Sequence, residues 1–87
     1  MTEPPVTPPP APRFKLLWDY RGADGPGTAE HFHIHLREFL ARAGLAGESG
    51  VEAASAQHGI AWFIAPIHVA EQVLKALRPH RAERLDP

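Results

Sequence analysis

From Arg13 to Arg21 the chain alternates: Phe14, Leu16, Trp18 and Tyr20 fall on one side, Lys15, Leu17, Asp19 and Arg21 on the other. Successive side chains of a strand point to opposite faces, so this period of two predicts a first strand with its aromatic-rich set turned to the core. A longer period follows. Ala29, Phe32, Leu36, Phe39, Leu40 and Ala43 recur three and four residues apart, which makes one apolar stripe on a helix. Inside that stretch His31, His33 and His35 alternate with Phe32, Ile34 and Leu36 as a strand would. The wider window and the end signals decide for a helix over residues 28–43. Thr28 serves as N-cap, Glu30 lies in the first turn, Arg42 in the last, and Gly44 follows as the left-handed terminator.

The rest of the chain is read the same way. Residues 22–27 (Gly-Ala-Asp-Gly-Pro-Gly) form a turn-rich connector. Glycines ahead of a helix can cradle an anion, but their spacing matches neither the dinucleotide fingerprint nor the phosphate-loop pattern. Residues 45–50 read as a loop, 51–57 as a weak strand, His58-Gly59 as a two-residue hairpin and 60–65 as a strong apolar strand. Pro66 stops that strand and opens a second helix. Val69, Ala70, Val73, Ala76 and Leu77 face inward there, His68, Glu71, Gln72 and Lys75 face outward, and Pro79 ends it.

The order strand-helix-strand-strand-helix resembles the ferredoxin-like split β-α-β arrangement of the α+β class, with two helices on one sheet face and the last strand absent or vestigial. The resemblance rests on element order over residues 13–78 and implies that the first and third strands are adjacent and parallel. Without a final strand, residues 14–20 form a sheet edge, and an apolar edge invites pairing with a second copy, hence a homodimer.

Composition narrows the function classes. Eighty-seven residues make one domain, and six prolines among the first twelve residues (Pro4, Pro5, Pro8, Pro9, Pro10, Pro12) predict a disordered Pro-rich tail over 1–12. A single domain over 13–79 and a flexible tail over 80–87 complete the layout. A fold this small has marginal stability, which a partner subunit would improve. The absence of cysteine removes disulfides and thiolate chemistry. A formal charge of −1 argues against nucleic-acid binding, and with no apolar run of spanning length no membrane role is expected and a cytoplasmic location is. Abundant alanine and a preference for arginine over lysine point to a GC-rich bacterial source.

The candidate chemistry is histidine chemistry. His31 and His35, four apart on one helix face, can chelate zinc or copper with Glu38 continuing the row, while His33 points elsewhere; a solvated histidine face is the simpler reading. Asp19 or Asp24, near the start of the helix, would make a general-base pair with His31. His58 and His68 stand alone. Trp18 and Trp62 fall on neighbouring strands, as core or as a stacking floor for a planar small-molecule ligand, and Leu17 and Phe63 are expected on the opposite face, where apolar surface lacks a helical cover. The expected function is a small soluble binding or interaction module that dimerises through its sheet. The alternatives are an enzyme of the dimeric α+β-barrel kind, with His31, His35 or His68 lining a cavity, and a His-based metal-binding protein.

Overall fold

The computed structural model describes residues 12–85, so the Pro-rich tail expected over 1–12 lies, but for Pro12, outside the described residues. Among these the chain forms β1 (Arg13–Arg21), α1 (Gly25–Ala43), β2 (Glu48–Ser55), β3 (His58–Pro66), α2 (Ile67–Leu77) and β4 (Arg81–Leu85). The strands make one antiparallel sheet in the order β2-β3-β1-β4. The α+β class and the placement of both helices on one sheet face hold; three details of the expected sheet do not.

First, β1 and β3 are antiparallel, not parallel. The α1 crossover returns β2 in the direction of β1 and the hairpin then reverses β3, so β3 must run against β1. Second, the final strand exists: residues 81–85, expected within a flexible tail, pair with β1 from Leu17↔Arg81 to Arg13↔Leu85. Arg78 takes a left-handed conformation (φ 44°) that turns the chain after α2, and the His80 N–H then donates to Leu17 O at 2.9 Å to begin the ladder. Third, β1 is therefore an inner strand rather than an edge, and the edges are β2 and β4.

The core fills the layer between sheet and helices. Leu16 and Trp18 of β1 and Ala61, Phe63 and Ala65 of β3 meet Ala29, Leu36 and Leu40 of α1 and Ala70 and Val73 of α2. Trp18 ties the sheet to both helices: its ring lies 4.7 Å from that of Phe32, and its Nε1–H donates to Leu77 O at 3.0 Å, so the polar end of a buried indole is satisfied.

α1 begins earlier than its stripe suggests. Gly25, Pro26 and Gly27 form its first turn, Asp24 occupies the N-cap position without a side-chain cap, and no acidic residue lies in that turn, so Thr28 and Glu30 do not play the parts expected of them. Proline suits this position because its missing N–H would be unpaired there anyway. At the other end Gly44 is left-handed (φ 69°), and the Leu45 N–H donates to Leu40 O at 2.9 Å, which closes the helix as expected. The β2–β3 turn falls on Ala56 and Gln57 rather than on His58 and Gly59, so His58 is a strand residue. No helix among the described residues is long and apolar enough to cross a membrane.

Candidate functional site

Both helices occupy one face of the sheet, which leaves the other bare. The register decides what lies there. Leu17 pairs with Trp62, Lys15 with Ile64 and Asp19 with Ile60 between β1 and β3; Gly50 of β2 lies beside Trp62, and Arg81 and Glu83 of β4 beside Leu17 and Lys15. Directly paired residues share a face, so Leu17, Ile60, Trp62 and Ile64 form an apolar centre, with Glu48 and Glu52 on the β2 flank and Arg81 and Glu83 on the β4 flank. The two tryptophans are thus on opposite faces, Trp18 inside and Trp62 outside, and Phe63 belongs to the core, so the expected pairings of Trp18 with Trp62 and of Leu17 with Phe63 are both overturned. Trp62 stays half-buried because Gly50 gives its ring room: a Cβ on Gly50 would stand 2.6 Å from Trp62 Cζ2. Lys15 Nζ lies 5.6 Å over the same ring.

One end of this face carries a polar cluster around Asp19. Its carboxylate receives two hydrogen bonds from Arg81, Nε at 2.8 Å and Nη2 at 2.9 Å, and stands 2.8 Å from His58 Nε2. The backbone N–H of Asp19 donates to His80 Nδ1 at 2.8 Å. The fork of the Arg81 guanidinium holds Asp19 at about 2, with the His58 hydrogen bond acting in the same direction and desolvation opposing both. An ionised carboxylate only accepts, so Nε2 is the protonated nitrogen of His58 and Nδ1 is left for another partner. Asp19 thereby orients His58 in the manner of a base and its orienting acid. The histidine that Asp19 meets is His58, not the expected His31: α1 carries His31 on the far side of the sheet.

On α1 the two histidines expected to chelate do meet. His31 Nε2 and His35 Nε2 are 3.1 Å apart, with ring centroids 4.6 Å apart and planes at 84°. Glu38 does not join them at a common point. Its Oε2 lies 3.7 Å from Nδ1 of His35, the nitrogen that faces away from His31. Among the described residues no three His, Asp or Glu side chains converge as a metal cluster. His33 sits apart, as expected, with Nε2 2.9 Å from Ser49 Oγ; burial, with Arg37 adding to it, lowers its pKa.

Asp24 and His31 line a shallow hollow of about 440 Å³ with Ala23, Gly27 and Thr28 at the start of α1. As an anion cradle it is poorly equipped. The N–H groups of Gly22, Gly25 and Thr28 already donate within the chain, to Gln57, Gly22 and Asp24 carbonyls, and Asp24 contributes a like charge. His68 is exposed on the outer side of α2. An open apolar groove of about 270 Å³ between α2 and β4, lined by Phe14, Ile67, Leu74 and Ala82, is smaller than an ordinary ligand pocket.

Arg81 and His80 were not legible as site residues, since both fall in the segment read as a tail. The signal was weak but present: Asp19 is the one acid on the polar side of β1, and a carboxylate between neighbouring strands requires a cation from one of them. No protein-family model, curated protein or solved structure matches the chain.

Proposed function

We propose that this chain is a small binding module that pairs with a second copy of itself through the sheet face its helices leave bare. The observation that carries the reading is the row Leu17–Ile60–Trp62–Ile64 on the face away from the helices, where Trp62 and Ile64 stay part-exposed while Leu17 and Ile60 are covered by neighbouring side chains. Helices and sheet enclose a core of buried apolar side chains on one side, and the opposite face is a broad surface that a partner can use. Its charges fit a copy of itself. Arg13, Lys15 and Arg81 share the face with Asp19, Glu48, Glu52 and Glu83, so both signs are interspersed; a strongly acidic or basic partner would meet as much repulsion as attraction. Four strands about 4.8 Å apart and some six residues long cover roughly 400 Å² per copy, which puts a two-copy interface near the low end for specific association. The dimer is accordingly weak, with dissociation in the micromolar range. The element order and the strand order β2-β3-β1-β4 support the ferredoxin-like reading of the fold.

Light scattering and sedimentation across micromolar to millimolar concentration test this. The expected result is a rise from one chain to two, abolished by Trp62→Glu with far-UV circular dichroism unchanged. A monomer throughout the range overturns the reading. The dimeric α+β-barrel enzyme is the second reading, favoured by the Asp19–His58 contact of 2.8 Å on the same face. Pairing of two sheets would shield that contact from water, and His58 Nδ1 would then be the general base.

A further inference from the structure

The outer side of α1 offers chemistry that the sheet face does not use. We propose that His31 and His35 form a two-imidazole chelate for a first-row divalent metal, copper(II) before zinc, independent of any pairing through the sheet. Both residues lie well inside a 19-residue helix anchored in the core by Ala29, Leu36 and Leu40, so the backbone presents them at a fixed one-turn spacing. Their side chains have turned toward each other, and the gap between the Nε2 atoms is 3.1 Å. Two nitrogens each about 2.05 Å from one metal and 3.1 Å apart subtend roughly 98°, between the square and tetrahedral angles. Both rings have to turn so that their lone pairs leave the line between the two nitrogens and meet at that point. The proton now shared between the Nε2 atoms moves to Nδ1, because a ligating imidazole nitrogen carries none.

Glu38 then has a role other than the ligand expected of it. With His35 bound through Nε2, its Nδ1–H faces the Glu38 carboxylate, 3.7 Å away in the metal-free geometry, and closing that gap to hydrogen-bond distance would complete a carboxylate–histidine–metal relay. Glu38 is a positioning residue. The two histidines leave the remaining coordination positions to water, and the hollow beside His31 keeps that side of the metal accessible. Two ligands with open positions make an exchangeable site, and they favour the metal at the top of the Irving–Williams order.

The test is titration of the tag-free full chain with copper(II) and separately with zinc, read by calorimetry, thermal unfolding and electron paramagnetic resonance. The expected result is one copper per chain at micromolar affinity, a melting temperature that rises with copper concentration, and a two-nitrogen hyperfine pattern, with zinc bound more weakly. His31→Ala/His35→Ala should weaken copper binding at least about tenfold and remove the thermal shift, and His33→Ala should leave both intact. Glu38→Gln should weaken binding several-fold while keeping the two-nitrogen pattern. Absence of binding to wild type, or the same isotherm for the double variant, overturns the proposal; loss of the nitrogen pattern in Glu38→Gln overturns the positioning role.

Discussion

Asp19 is the residue on which three strands converge: it belongs to β1, bonds His58 of β3 and Arg81 of β4, and through its N–H reaches His80. Its carboxyl group is held at about 2, below the ordinary carboxylate value, so the native state releases this proton more readily than the unfolded chain. The stabilisation is therefore complete above pH ~4 and lost as pH falls from ~4 to ~2; Arg81 is half-exposed, and solvent screening brings the amount to about 1–2 kcal/mol. Asp19→Asn should lower stability by about that much at neutral pH and flatten the acid limb of a urea-unfolding series, because it also leaves His58 and Arg81 without their ionic partner. An unchanged acid limb would show that the cluster contributes nothing. His33 gives a second pH signature. Burial, assisted by Arg37, disfavours its charged form, so its ring signals in nuclear magnetic resonance should titrate below the ordinary histidine value, with stability falling as pH drops through that value. Little of the Asp19 cluster was legible in the sequence. Hydropathy marks which side of β1 Asp19 takes, but its partners lie 39 and 62 residues away, and local periodicity carries no information about such distances.

At the scale of elements, period alone locates both helices and the two central strands, because apolar burial enforces it: Ala29, Leu36, Leu40, Ala70 and Val73 are buried as their stripes require, while Ala43 and Ala76, in the last turns, are exposed. Ends were harder. Gly25-Pro26-Gly27 has connector composition, yet it is the first turn of α1, and close packing rather than flexibility explains its glycine. Gly25 lies against the Tyr20 carbonyl and Gly59 with no space for a side chain, and a Cβ on Gly59 would meet Gly25 O and Pro26 Cα, each at 2.5 Å. Two glycines thus let the start of α1 touch the end of β1 and the start of β3. Gly59→Ala should destabilise by about 2–3 kcal/mol or more, since the atoms in the way are backbone and cannot rotate aside. Chemical denaturation measures it, with Gly27→Ala, where nothing lies within 4 Å of the added atom, as the tolerant control.

At the scale of the molecule, the class of the fold followed from element order, and the closing strand did not. β4 carries Arg81, Glu83 and Arg84 in five residues, a composition that reads as solvated chain. Such charge is what a short edge strand needs in order not to recruit another sheet, so the feature that concealed β4 is also its function. Removal of β4 should therefore expose what it covers. A chain ending at Pro79 loses the ladder between β1 and β4 and the Arg81 contacts to Asp19, and it exposes the backbone polar groups of β1, an apolar strand with Phe14, Leu16, Leu17 and Trp18 in sequence reach of any passing edge. The truncated protein should melt well below the full chain and form higher oligomers or aggregates on size-exclusion chromatography even when Trp62→Glu has disabled the sheet face. If truncation in the Trp62→Glu background leaves a stable monomer, then β4 does not protect β1, and the edge logic fails. If association returns only after truncation, the two surfaces are separable: the bare face pairs copies of the native fold, and the covered edge is kept out of reach by a strand of five residues.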